Sequence, residues 1–319
     1  MGVLAKFVLI VSAITLAAGL GYLTRKLRPA TERYAGDMMY YLVILGWTPL
    51  SVLVIWQIDL QPSLFALPLI SFLLPVLMAP VGMGLGRLHH LDRKAFGTYT
   101  VACGIANIGV TLGGFVCYAL YDLEGLGYAQ LYIMPWAISY VGIYYPLARY
   151  IGEPGSSVDV RFLLRTFFDR RSLPGLGALI GLALNFGDVP VPAFITDYHI
   201  IDIFMVPSVL VSFYCMGLQI HFTSLGEMPR LHGSLALCKF LIAPVITVIL
   251  VWSAEGLLGS LPPVARKVAL IEGFMPTAIF TVVISNLFSL HPRLASVLFL
   301  VNTVAFLVVV LPILIVVFG

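Results

Sequence analysis

From Phe7 onward the chain is a succession of apolar runs, each of about twenty residues, parted by short polar stretches. Few structures are open to such runs. In hydrocarbon an unpartnered N–H or C=O costs several kcal/mol, so each segment must close its hydrogen bonds internally, as a helix does. Composition agrees: of 319 residues 60% are hydrophobic and only 10% charged, and the mean hydropathy is +1.02, far from the balance of a water-soluble domain. The expected fold class is an all-α integral membrane protein with about ten transmembrane helices, near residues 4–23, 38–56, 63–87, 95–121, 125–148, 173–187, 201–220, 232–254, 264–288 and 292–317. The longest polar connection, Arg149 to Ser172, leaves no room for a soluble domain.

Two runs are spoiled at their middles in the same way. The stretch from Ala95 to Tyr121 is interrupted by Ala106-Asn107-Ile108-Gly109, with Gly113-Gly114 following; that from Val264 to Leu287 is interrupted by Gly273-Phe274-Met275-Pro276-Thr277. Each is entered through a basic pair, Arg93-Lys94 or Arg266-Lys267. Unwound backbone persists in a bilayer only where it lines a cavity or a site, and paired broken spans in matching halves point to the midplane site of a secondary transporter. The expected organisation is a first repeat over 1–150 (spans 1–5), a cytoplasmic linker over 151–172 and a second repeat over 173–319 (spans 6–10). An odd number of spans per half makes the repeats inverted, with broken spans 4 and 9 crossing. Prolines recur in paired spans: Pro49 and Pro207 in 2 and 7, and Pro75 and Pro80 against Pro244 in 3 and 8.

Arginine and lysine gather in the odd-numbered loops, as Arg25, Lys26, Arg28 and Arg33, then Arg87, Arg93 and Lys94, then Arg149, Arg161, Arg165, Arg170 and Arg171. The positive-inside rule makes these loops cytoplasmic and both termini extracytoplasmic, in a multi-pass protein of the cell's inner (plasma) membrane. The lipid bilayer is the first expected partner. Nucleic acid is not one, because the net charge of +3 is scattered over short loops. The run Phe7–Leu23 reads as a retained helix and not a signal peptide, and Lys6 rules out a myristoylation signal after Met1-Gly2. Cys103, Cys117, Cys215 and Cys238 all fall within spans and are expected as free thiols.

If spans 4 and 9 split and cross, two half-helix N-termini converge on one point and favour an anion there. The candidate substrate-binding residues are Asn107, Gly109, Thr111, Pro276, Thr277 and Thr281, and the candidates for ion coupling are Glu272, Asn286 and Lys239. For the two charged ones a plainer reading stands beside the functional one: Lys239 snorkels to the interface, and Glu272 pairs with Lys267 at the headgroups. His89-His90 lacks further ligands at metal spacing, so neither a metal nor a cofactor is expected. Tyr132, Trp136, Tyr140 and Tyr144, spaced along span 5, read as packing residues before a stacking face. No catalytic residue is assigned: there is no deep aspartate pair and no His-Glu-x-x-His helix for a membrane-embedded enzyme, and no attached module for a sensor.

Several stretches are similar to the auxin efflux carrier family. Leu173-Pro174-Gly175-Leu176-Gly177-Ala178-Leu179-Ile180-Gly181, closed by Val189-Pro190-Val191-Pro192, resembles its sixth span; Met205-Val206-Pro207-Ser208 with Met216-Gly217-Leu218 resembles its seventh. Met275-Pro276-Thr277-Ala278 looks like its ninth-span crossing, and Ala106-Asn107-Ile108-Gly109 with Tyr118, Gly125 and Tyr132 resembles the fourth and fifth. Ile279-Phe280 departs from the pattern, where the family often has a polar side chain, and the long loop of the plant proteins is missing, so the bacterial short form is the nearer comparison. The resemblance implies a five-plus-five inverted-repeat carrier with a bile-acid-symporter-like (NhaA-like) fold, from the bile/arsenite/riboflavin transporter superfamily. It further implies a scaffold domain of spans 1, 2, 6 and 7, a crossover transport domain of spans 3–5 and 8–10, and a homodimer. The substrate implied is a small organic anion, a mono- or dicarboxylate. A coupled proton or none is one expectation, and a sodium-coupled symporter of the bile-acid type is the alternative.

Overall fold

The computed structural model describes residues 3–153, 173–219 and 229–319. Most of the expected linker, with Arg161, Arg165, Arg170 and Arg171, lies outside the described residues, as does Met1-Gly2. Among the described residues the protein is all-helical, and the one β-type pairing is an isolated bridge between Ala106 and Thr277. The helices are α1 (Val3–Leu27), α2 (Pro29–Trp56), α3 (Pro62–Leu88), α4 (Arg93–Gly104), α5 (Gly113–Ile133), α6 (136–152) and α7 (Leu173–Phe186). There follow a short α8 (Ala193–Asp197), α9 (Ile200–Leu218), α10 (Pro229–Leu258), α11 (Pro263–Gly273), α12 (Phe280–Leu287) and α13 (Pro292–Phe318). Five of them, α2, α3, α9, α10 and α13, are long and apolar enough to cross a bilayer, which makes this a membrane-embedded protein.

The broken runs explain why the other expected spans appear as shorter pieces. The run from Ala95 is divided into α4 and the first part of α5 by residues 105–112, and the run from Val264 into α11 and α12 by residues 274–279. Helix α5 also bends at Tyr121 and Asp122, where the backbone leaves helical geometry and the expected fourth and fifth runs meet. The fifth run is interrupted again at Met134-Pro135, a break the sequence reading left out.

Four helices carry a widened π turn: Val43–Trp47 in α2, Tyr140–Tyr144 in α6, Cys238–Ile242 in α10 and Phe306–Val310 in α13. Each ends two residues before a proline, namely Pro49, Pro146, Pro244 and Pro312. Proline has no N–H and crowds the carbonyl four residues back. The residue before it instead donates five residues back, as Thr48 does to Val43, Tyr145 to Tyr140, Ala243 to Cys238 and Leu311 to Phe306, which makes room for the ring without breaking the helix.

The helices pack in two groups. In one, α1 lies along α9 and α2 along both α7 and α9; in the other, α4 is held by α3, α6 and α13, α11 by α5, and α12 by α13. Lipid tails are as apolar as leucine, so close backbone approach and not water exclusion drives these contacts. Glycines supply it. A Cβ on Gly217 would run into the Ala18 carbonyl of α1, one on Gly21 into the Tyr214 carbonyl of α9, and one on Gly181 into the Val52 carbonyl of α2. Gly217→Val is therefore expected to destabilise the protein by about 1–3 kcal/mol through overpacking, read as a fall in Tm in detergent, whereas Gly19→Ala, which meets open space, should leave Tm unchanged.

Candidate functional site

Helix α4 stops at Gly104, and Ile105 turns the chain into extended geometry (φ −92°, ψ 122°). The two breaks then meet as a short antiparallel pair. Asn107 N–H donates to the Pro276 carbonyl at 2.8 Å, and Ala278 N–H to the Ile105 carbonyl at 3.2 Å. Neighbouring groups satisfy the rest of this unwound backbone. Thr277 N–H donates to Asn302 Oδ1 on α13 at 2.8 Å, and Thr277 Oγ1 to the Ala102 carbonyl at 2.9 Å. Tyr140 Oη donates to the Ala106 carbonyl at 3.1 Å, Lys239 Nζ to the Ile105 carbonyl at 3.0 Å, and Gly113 N–H to the Asn107 carbonyl at 3.1 Å. Buried backbone groups need partners, and here side chains from three other helices provide them.

Gly109 has φ +72°, a left-handed conformation that costs an L side chain about 1–2 kcal/mol, and a Cβ there would also meet Ile133. That turn presents the Gly109 N–H to Glu272 Oε1 at 3.3 Å. Glu272 is fully buried, and its Oε2 has no protein partner. The headgroup pairing with Lys267 is not what the structure has: Lys267 Nζ lies over the Tyr121 ring instead, 5.3 Å from its centroid. Nor does Lys239 snorkel, since it is 2% exposed.

A cavity of about 340 Å³ lies between the two helix groups. One wall comes from α2, α7 and α9, and the other from residues 106–111, α5, α6 and residues 278–283. Its mouth is framed by Gly36 and Tyr40 near the start of α2, Pro174 and Gly175 at the start of α7 and Gln219 just past α9, all beside odd-numbered loops. The lining is apolar and aromatic, with Trp47, Trp136, Tyr140 and Phe280 prominent, and it includes no charged side chain. Trp136 meets Tyr140 and Phe280 edge to face.

Of the candidate residues, Asn107 and Thr111 line this cavity. Gly109, Pro276, Thr277 and Thr281 are buried behind it and shape the crossing, while Glu272 and Lys239 sit on the far side of the extended strand. Asn286 is brought to neither place: it is exposed, and its amide donates to the Val282 carbonyl on its own helix. Thr111 Oγ1 donates to Asn107 Oδ1 at 2.5 Å, which turns the Asn107 amide nitrogen outward, and that nitrogen has no protein partner. Gln130 repeats the arrangement. Its Oε1 accepts from Ser51 at 3.3 Å, and its buried Nε2 is unpartnered on the cavity wall. The sequence reading missed Gln130, Ser51 and Asn302; only the helical fold of α5, α2 and α13 carries them to the crossing.

On the opposite, even-loop side the two groups are closed together. Tyr118 Oη donates to the Asp202 carboxylate at the start of α9, and Tyr121 Oη to the Phe318 carbonyl at 2.5 Å.

Asn302→Ala would leave the buried Thr277 N–H without an acceptor, an expected loss of about 1–3 kcal/mol. The check is a lowered Tm; an unchanged Tm would mean that this bond does not hold the crossing in place. Compared with known protein families and with curated proteins, the sequence matches none.

Proposed function

We propose that the protein is a secondary transporter, a permease or efflux carrier for small organic anions, working by alternating access around the crossing of spans 4 and 9. The observation that carries this reading is the pair of unpartnered amide nitrogens, Asn107 Nδ2 and Gln130 Nε2, on one wall of an otherwise apolar cavity. Both amide oxygens are already engaged, so what faces the cavity is N–H donors alone. A buried donor left unmade costs about 1–3 kcal/mol, and a carboxylate answers two of them at once. The N-terminal turns of α5 and α12 lie beside the same cavity and favour negative charge. Aromatic walls suit a mono- or dicarboxylate with an apolar body over a sugar or an amine.

The wider reading follows the sequence: ten spans in a five-plus-five inverted repeat, membership of the auxin efflux carrier family in its bacterial short form, and a homodimer. The helix group α1, α2, α7 and α9 acts as the scaffold, and the remaining helices move against it carrying the crossing. With the odd-numbered loops cytoplasmic, the cavity described above is open to the cytoplasm, and the Tyr118–Asp202 and Tyr121–Phe318 contacts are the closed outer gate. Sodium coupling finds less support, because the cavity wall offers amides and hydroxyls but no carboxylate.

Thermal stabilisation of the purified protein against mono- and dicarboxylates, bile acids and neutral amino acids, with and without sodium, tests the reading. A sodium-independent rise in Tm for one carboxylate class is expected, lost in Asn107→Ala and in Gln130→Ala. No rise with any anion would sink it, and a rise seen only with sodium would favour the symporter. Opening the outer gate with Tyr118→Phe is expected to raise, several-fold, the rate at which an impermeant thiol reagent added on the even-loop side labels Ile279→Cys; an unchanged rate would remove that contact from the gate.

A further inference from the structure

Lys239 lies in the π turn of α10, 2% exposed, with its Nζ on the Ile105 carbonyl. Among the described residues no carboxylate is within ion-pair distance of it. An ionisable group in hydrocarbon needs a reason to be there. The titratable groups that face it are Cys238 on its own helix, Cys103 and Tyr99 from α4, Tyr132 from α5, and Tyr140 and Tyr144 from α6. Glu272 of α11 is turned the other way, to Gly109.

Several of these groups form a line. Tyr99 and Cys103 are four residues apart on α4, and Ser234 and Cys238 four apart on α10, so each pair shares one helix face and the two faces meet. Tyr99 Oη is 2.7 Å from Ser234 Oγ, and Ser234 Oγ is 2.7 Å from His89 Nε2. Tyr99 also bonds the Cys103 thiol, and Cys103 bonds Cys238, next to Lys239 in the chain. His89 is half-buried at the end of α3, beside the exposed His90, in an odd-numbered loop. Leu74, Met78, Leu231, Leu235 and Leu298 jacket the line in apolar side chains.

We infer that Lys239 exchanges its proton with the odd-loop side along Cys238, Cys103, Tyr99, Ser234 and His89, so that the anion held at the crossing crosses the membrane together with a proton. This rests on the carrier reading above. In the outward step the ammonium gives a proton to a thiol sulfur while that thiol passes its own proton on; Tyr99 and Ser234 each receive one and release one, and the imidazole takes the last and yields it to water. Lys239 ends as a neutral amine, and every intermediate group is restored. The ammonium lies behind residues 105–107, whose other side lines the cavity, so its charge is felt by the anion without touching it.

The test uses the full chain in proteoliposomes with succinate and phenylacetate as probes and a pH dye inside. Exchange of labelled for unlabelled probe needs no net proton movement; uptake driven by a pH gradient does. Lys239→Gln, Tyr99→Phe and His89→Ala are each expected to cut gradient-driven uptake and lumenal acidification at least about tenfold while exchange stays within about twofold. Equal losses in both, or wild-type uptake indifferent to the gradient, would overturn the inference. Because Lys239→Gln removes a bond to the crossing, the conservative Tyr99→Phe is the decisive variant. A second arm needs no substrate: with five lysines in the chain, hydrogen exchange at Lys239 Nζ can be followed by nitrogen NMR of lysine-labelled protein, and Tyr99→Phe should slow it at least about tenfold. Unaltered exchange at Nζ overturns the relay even if the probes are carried. Absence of probe exchange in wild type counts against the carrier reading, and the NMR arm then still decides the relay.

Discussion

Two peptide hydrogen bonds, Asn107 to Pro276 and Ala278 to Ile105, hold together the parts of the chain least suited to a bilayer. An unwound strand in hydrocarbon is tolerable only when its polar groups are answered, and neither break could answer its own. Each serves as the other's partner, and Asn302, Tyr140 and Lys239 complete the set from outside. The burial of Lys239, the left-handed turn at Gly109 and the seating of Glu272 are arranged around this pairing.

The cavity owes its character to what the pairing leaves over. Backbone groups are consumed in holding the crossing, so side-chain amides are what remain to meet a ligand, and their oxygens are tied off by Thr111 and Ser51. The surrounding aromatic side chains come from both helix groups. Relative movement of the groups would therefore alter the walls while leaving the crossing, with its internal bonds, intact.

How much of this the sequence disclosed differs from residue to residue. The helical, membrane-embedded nature was plain from run length, and both interruptions were visible because Asn107-Ile108-Gly109 and Phe274-Met275-Pro276 spoil apolar runs at their centres. The glycines of the α7 stretch, noticed as a motif, proved to be sites of backbone contact. Gln130 and Asn302 gave no local signal, since one amide on an otherwise apolar helix says nothing of what it faces until the neighbouring helix is in place. For the same reason Glu272 and Lys239 could equally be read as interfacial charges: sequence separation hides that one meets Gly109 and the other Ile105.

The widened turns before the four prolines also fix rotational phase. Each admits one residue beyond the regular count, and one residue amounts to about 100° of helical rotation. Residues on the N-terminal side of such a turn thus present a different face from the one a regular helix would give them. In α10 this concerns the segment bearing Leu231, Ser234 and Leu235. A single-residue deletion within 238–242 would swing that segment by a quarter turn or more relative to the half that follows, carrying Ser234 away from Tyr99 without changing any residue that the two helices share. The length of this turn, as much as the identity of its side chains, is a constraint on the helix.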